Sequence, residues 1–116
     1  IKAVGKNDNE YKELLDIALK SENAGAKALL LECVTQKTAK KITSSVSIPT
    51  IGIGSSKYCD GQVLVFDDLI NMDKNIKFPK FVKKYINLGE LAEKAVINFT
   101  KDVKEKKFPS KKYTYL

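Results

Sequence analysis

The run Ala28–Val34 is the feature that most restricts what this chain can fold into. Six of its seven residues are apolar, and the remaining one is the carboxylic acid Glu32. A short apolar run that follows a turn signal such as Gly25 is typical of a strand covered on both faces, as in a parallel sheet flanked by helices. We therefore predict a buried strand that carries one carboxylate at its end.

Glu32 is the candidate catalytic residue. Burial disfavours the charged form of an unpaired carboxylate and makes it a better proton acceptor, which suits a general base. The alternative is structural, with Glu32 turned to solvent just past the strand or paired with a lysine. Structural ion pairs also perturb carboxylates, so residue types alone leave both alternatives open.

Length and composition indicate one globular domain. The 116 residues are 43% hydrophobic and 30% charged, which is typical of a chain with a modest core. We predict a single domain over residues 1–116 with no internal boundary. No apolar segment approaches the roughly 18 residues of a membrane span, and the first residues do not resemble a signal peptide. A cytoplasmic protein is the expectation.

The net charge of +7 raises the question of nucleic-acid binding. Every basic residue is a lysine, so the bidentate arginine contacts that read guanine or clamp phosphates are absent. A solvated lysine surface is the favoured interpretation. A non-enzymatic nucleic-acid-binding module stays as an alternative, since the basic tail from Lys104 to Leu116 carries Phe108, Tyr113 and Tyr115.

Metal binding by cysteine and histidine is excluded. The chain has no histidine, and Cys33 and Cys59 do not form a CxxC pair. We expect two reduced, buried thiols. We assign no metal ligand within this sequence.

Helical and extended patterns alternate along the chain. Asn7 and Glu10 predict a helix N-terminus, and the residues around Gly25 predict its end. After a strand ending at Glu32, Thr35 caps a second helix with Ala39, Ile42 and Val46 inward. Further elements are predicted over 50–53 (strand), 54–61 (small-residue loop), 62–66 (strand) and 88–103 (amphipathic helix packed outside the sheet).

With the extended start Ile1–Val4, these elements make four strand-helix units around a parallel sheet. An open four-stranded sheet and half of a (β/α)8 barrel both fit, the whole barrel needing about 250 residues. In either architecture ligands bind at the carboxyl ends of the strands, and Glu32, Gly54 and Asp60 are all expected at or just beyond such ends.

Several segments resemble the carboxyl-terminal half of ketopantoate hydroxymethyltransferase. The resemblance covers nearly the whole sequence, and the block from Ser47 to Val65 is specific to that family. The segments that carry it are Glu22–Ala26 (ENAGA), Leu29–Val34 (LLLECV), Ser47–Gly54 (SIPTIGIG), Cys59–Val65 (CDGQVLV), Phe78–Tyr85 (FPKFVKKY) and Phe108-Pro109.

This resemblance implies a (β/α)8 (TIM) barrel enzyme of pantothenate biosynthesis, of which the chain supplies roughly the second half. The family transfers a hydroxymethyl group from 5,10-methylenetetrahydrofolate to 3-methyl-2-oxobutanoate, giving 2-dehydropantoate. The oxo acid chelates Mg2+, which acts as a Lewis acid, and the glutamate at the end of the LLLECV strand removes the C3 proton. That role falls on Glu32. A homo-oligomer, decameric in the family, and no nucleic-acid or membrane partner are implied. A related Mg2+-dependent barrel lyase acting on 2-oxo acids is the alternative enzyme.

The sequence departs from the family in two places. Ser55-Ser56-Lys57-Tyr58 replaces a loop in which the family usually has glycine, which puts any positive φ there in doubt. The family's metal ligands and oxo-acid contacts lie on amino-terminal strands that these residues do not match. We therefore predict a sequence that begins near the middle of the barrel and is inactive alone.

Overall fold

A computed structural model describes residues 2–115, so that Ile1 and Leu116 lie outside the described residues. The chain divides into two compact units. The first comprises the described residues up to Val65 together with Phe78–Lys83, and the second comprises Phe66–Lys77 and the described residues from Lys84 onward. The predicted single domain over residues 1–116 stays a prediction.

The first helix, α1, spans Asp8–Asn23 and begins as predicted. The side chain of Asn7 accepts a hydrogen bond from the Glu10 N–H at 2.9 Å. The Glu10 carboxylate accepts from the Lys6 N–H at 2.8 Å, one residue before the position expected in a capping box. Gly25, with a φ of +99°, follows the helix end because only glycine adopts this conformation without a steric cost.

The sheet is parallel and has three strands in the order β1-β2-β3. These are β1 (Leu29–Glu32), β2 (Thr50–Ile53) and β3 (Gly61–Gln62). Val4 adds one parallel bridge to Val34, just beyond the end of β1. The predicted α/β class with a parallel sheet is confirmed.

The core lies on one face of the sheet. Helix α2 (Gln36–Ser45) directs Ala39 and Ile42 inward as predicted, and they pack with Leu31 of β1 and Ala18 of α1. The opposite face is uncovered, since 61% of Leu30 is exposed. The prediction of a strand covered on both faces is wrong, because successive residues of a strand point to opposite faces and α1 and α2 cover only one of them.

The third strand is shorter than predicted. It comprises Gly61–Gln62 rather than residues 62–66. Its partner β2 ends at Ile53, after which Gly54 takes a left-handed φ of +58°. Gln62 pairs with Gly52, and only Ile53 of β2 remains beyond that pair. Strand β3 therefore ends because β2 offers almost no further residue for pairing.

Asp60 lies at the amino end of the sheet, so its predicted place at a carboxyl end is wrong. Its carboxylate accepts hydrogen bonds from the Thr50 N–H at 2.8 Å and the Thr50 hydroxyl at 3.2 Å, at the start of β2. The loop after Gly54 therefore returns along the sheet to the amino end of β3. Parallel strands need this return, and only its first residues lie near the carboxyl ends.

One predicted strand-helix unit lacks its helix. The segment 54–60 joins the parallel strands β2 and β3 without a helical residue. The Gln62 amide and the Cys59 sulfur occupy the space where a β-carbon on Gly52 would lie, at 2.8 Å and 3.2 Å. The loop itself thus covers this part of the sheet, and Gly52 provides the room for it.

The second unit contains α3 (Phe66–Leu69), α4 (Leu88–Lys104) and a short 3-10 helix (Lys111–Tyr113). Helix α4 has no buried residue among those described, so its predicted packing outside the sheet stays a prediction. The tail folds back on this helix, because the Phe108 ring contacts that of Phe99 edge to face at 5.5 Å. None of the helices described for residues 2–115 is long and apolar enough to span a membrane.

We predict that Asp60→Ala destabilises the protein by about 1–3 kcal/mol, because the Thr50 N–H then loses its carboxylate partner at a fully buried residue. Urea unfolding of the complete protein followed by circular dichroism measures this. Asp16→Ala is the matched control, since Asp16 only pairs with exposed Lys20 and its loss costs about 0.5 kcal/mol or less. Equal losses in the two variants would contradict the assignment.

Candidate active site

Glu32 is the last residue of β1 and lies on the open face of the sheet. Its register partner on β2 is Ile53, and Leu30 precedes it on the same face. The Glu32 side chain is exposed in this chain. The predicted burial of the carboxylate is therefore wrong for the described residues, because α1 and α2 cover only the other face of the sheet.

An apolar groove runs along β1. It has a volume of about 300 Å³, and the residues lining it include Val4, Leu14, Ile17 and Leu30. Among the described residues that line it, Glu32 is the one charged side chain and Ser21 the one other polar side chain, so a ligand in this groove would meet one carboxylate and one hydroxyl among hydrocarbon side chains. Such a site is suited to a small, largely apolar molecule with one group that reacts with a base.

The chain turns sharply after Glu32, at a residue that sequence reasoning did not select. Cys33 is buried and has a left-handed φ of +52°, which is uncommon for a residue other than glycine. Its N–H donates to the Ile53 carbonyl and its own carbonyl accepts from the Val4 N–H, both at 2.9 Å. The Ser55 hydroxyl donates to the Val34 carbonyl at 3.1 Å. Three neighbouring chain segments therefore hold this turn.

Two threonines bind the residue after Val4. The hydroxyls of Thr35 and Thr38 both donate to the Gly5 carbonyl, at 2.6 Å and 2.8 Å. Thr35 is the N-cap of α2 by position, as predicted, but its side chain makes no capping bond. Gly5 has a φ of +78° and would place a β-carbon 2.8 Å from Thr38, so a glycine is needed here. Val4 and Gly5 are thus fixed beside the end of β1.

The changed loop keeps its glycine at the position that needs one. Gly54 has a φ of +58°, whereas none of the residues from Ser55 to Tyr58 has a positive φ. Ser56 is buried, and its hydroxyl accepts from the Tyr58 N–H at 3.2 Å. Residues Ser55 to Tyr58 therefore adopt no conformation for which a glycine would be needed. Gly54 lies at the carboxyl edge as predicted.

Candidate metal ligands are not clustered in the described part of the chain. No group of three or more histidine, cysteine or acidic side chains lies together within residues 2–115. Mg2+ is usually held by one or two carboxylates together with water and substrate oxygens, so one carboxylate such as Glu32 does not by itself define a site. We assign no metal ligand within residues 2–115.

Comparison with known proteins gives a family for this arrangement. The sequence profile described as ketopantoate hydroxymethyltransferase matches residues 1–111. The chain belongs to the ketopantoate hydroxymethyltransferase family. The resemblance found in the sequence is thereby confirmed, and this family is one of enzymes.

Relatives named 3-methyl-2-oxobutanoate hydroxymethyltransferase match almost the whole chain. That of Clostridium botulinum strain Langeland is 47% identical over 114 residues, which are 98% of this chain and 41% of the relative. That of Thermosipho africanus is 48% identical, with 98% and 43% covered. The chain thus spans less than half the length of these ketopantoate hydroxymethyltransferases.

Gly54→Ala is predicted to destabilise the protein by at least about 2 kcal/mol. The new β-carbon would lie 2.5 Å from the Phe81 ring at an unfavourable φ. The matched control is Gly25→Ala, which meets no atom within 4 Å and pays only the backbone cost of about 1 kcal/mol. Urea unfolding of both variants tests the difference, and a larger loss at Gly25 would argue against the Phe81 contact.

Proposed function

We propose that this chain is part of an enzyme that transfers a hydroxymethyl group from 5,10-methylenetetrahydrofolate to 3-methyl-2-oxobutanoate, giving 2-dehydropantoate for pantothenate biosynthesis. The observation that carries the proposal is the place of Glu32 at the carboxyl end of a parallel strand, in a chain of the ketopantoate hydroxymethyltransferase family. Active sites of α/β folds lie at this end of the sheet.

Glu32 is the proposed general base. The hydrogen on C3 of 3-methyl-2-oxobutanoate is acidified by the neighbouring 2-oxo group, and its removal leaves an enolate whose C3 attacks the one-carbon unit. Water supplies the hydroxyl oxygen of that unit, and the bonds of that unit to the folate nitrogens break so that tetrahydrofolate leaves. The Glu32 carboxylate accepts the C3 proton. Its exposure on the open face leaves it accessible to a substrate, and a positioned carboxylate contributes about 10²–10⁴-fold to such a step.

The neighbours of Glu32 suit the apolar end of the oxo acid. Leu30 and Ile53 share its face of the sheet and present branched hydrocarbon beside the carboxylate. We propose that they contact the two methyl groups on C3, which orients the C3–H bond toward Glu32. Contact with hydrocarbon also excludes water from the carboxylate once the substrate is bound, which favours proton transfer.

The remaining parts of the site are proposed from the family alone. They comprise Mg2+, the tetrahydrofolate cosubstrate and closure of a (β/α)8 barrel by strands outside this chain. The family also suggests a cytoplasmic homo-oligomer, decameric by resemblance, without nucleic-acid or membrane partners. The half-exposed apolar residues Leu91, Phe99 and Val103 of α4 support contacts with further protein.

Glu32→Gln is predicted to lower kcat by about 100-fold or more, because the amide keeps the shape of the side chain but does not accept the proton. The assay uses a chimera in which this chain replaces the matching segment of the Clostridium botulinum relative. Exchange of the C3 hydrogen in D2O, followed by proton NMR, isolates the proton-removal step. Glu13→Gln, on the exposed face of α1, is the control and should stay within about twofold. Unchanged exchange in Glu32→Gln would refute the proposed role.

We predict no detectable turnover by the isolated 116 residues with either substrate. The described part of the chain contains no cluster of metal-ligating side chains, and its sheet is open on the face that carries Glu32. Product formation by the isolated chain, measured by mass spectrometry against the active chimera, would show that the site is complete without further strands.

A further inference from the structure

The left-handed conformation of Cys33 is the feature that the proposed function does not explain. A β-carbon makes a φ of +52° unfavourable, and such residues persist where the surrounding structure holds them, often at functional sites. Cys33 directly follows the proposed base and is 7% exposed. Contacts with neighbouring residues therefore hold Cys33 in this conformation.

The turn at Cys33 changes which face the next side chain occupies. In a continued strand Val34 would share the open face with Glu32, two residues before it. Val34 instead packs in the core with Leu31 and Ile42. Glu32 is consequently the last side chain of β1 on the open face, and no side chain of the following residue crowds its carboxylate.

Most of the bonds that hold this turn come from the backbone. The Cys33 N–H continues the β1–β2 ladder to Ile53, and the Cys33 carbonyl and Thr35 N–H both bind Val4. Two side chains add to these bonds: the Thr35 hydroxyl donates to the Gly5 carbonyl at 2.6 Å, and the part-buried Ser55 hydroxyl donates to the Val34 carbonyl at 3.1 Å. Ser55 fixes the peptide that follows Val34, and so limits movement of the chain just beyond the left-handed residue.

We propose that Ser55 is a positioning residue for Glu32, acting through the left-handed turn at Cys33. The inference rests on the proposed function of Glu32. Ser55 lies in the loop after β2, so its hydroxyl connects that loop to the end of β1. The loop after β2 thereby sets the place of the carboxylate at the end of β1.

The first test is Ser55→Ala in the active chimera. One neutral hydrogen bond corresponds to roughly a fivefold change in rate, and we expect C3 exchange in D2O and kcat to fall by about that factor, with KM for the oxo acid within about twofold. The primary deuterium isotope effect with C3-deuterated oxo acid should rise. This ratio does not depend on the fraction of folded enzyme, so a merely structural loss would leave it unchanged.

The second test separates the turn from other effects of the loop. In the Ser55→Ala background, Cys33→Gly and Cys33→Ala remove nearly the same side chain, but only glycine adopts a positive φ without steric cost. We expect Cys33→Gly to restore at least about half of the lost exchange rate relative to Cys33→Ala. Ser45→Ala is the matched control, because its hydroxyl bonds a carbonyl within α2 at 2.8 Å and its loss should leave the rate unchanged.

Three results would overturn the inference. These are an unchanged exchange rate in Ser55→Ala, an unchanged isotope effect in that variant, and equal rates for the two Cys33 variants in its background. Glu32→Gln, measured in parallel, keeps the two proposals apart. If Glu32→Gln abolishes exchange while Ser55→Ala does not slow it, the positioning role fails and the base survives. If Glu32→Gln exchanges normally, the base itself is wrong.

Discussion

The parallel ladder between β1 and β2 is the interaction on which the rest of the first unit depends. It pairs Leu31 with Gly52 and Glu32 with Ile53. This register therefore determines which side chains lie on the core face of the sheet and which lie on the open face. A shift by one residue would place Glu32 in the core and expose Leu31. Burial of Leu31 against α1 and α2 therefore fixes the position of the carboxylate, because hydrocarbon burial strongly opposes that shift.

The ends of the strands are tied together independently of the ladder. Gly5 is bound by the hydroxyls of Thr35, the N-cap of α2, and Thr38 within α2, and Val34 is bound by Ser55 from the loop after β2. These bonds join the segments before β1, after β1 and after β2 at the carboxyl edge. Such bonds limit the number of conformations that the segments around a strand end can adopt. A proposed base such as Glu32 requires this support because it must keep one orientation.

Sequence patterns correctly predicted the features that depend on residues close together in the chain. Asn7 and Glu10 marked the start of α1 because capping involves residues three positions apart, and Ala39 and Ile42 marked the inner face of α2 through helical spacing. The length of β3 depended instead on where β2 ends. The place of Asp60 depended on the route of a loop, which residue types do not encode.

Sequence reasoning selected Glu32 as a candidate but did not predict its environment. An apolar run that ends in one acid drew attention to Glu32, whereas the burial of its carboxylate depended on what covers the open face. Cys33 gave no signal, since nothing in the sequence marks a cysteine for a left-handed turn. The resemblance to the family supplied the chemistry, and the structure supplied the face on which Glu32 lies.

An exposed Glu32 and a catalytic Glu32 are compatible for a physical reason. A carboxylate permanently buried among hydrocarbon would meet no substrate, whereas one on an open face becomes enclosed when substrate and further strands cover that face. The hydrocarbon needed for enclosure is already present, because Leu30 and Ile53 flank the carboxylate. Reactivity in this view depends on completing the other side of the site, while the turn at Cys33 keeps the base in place on this side.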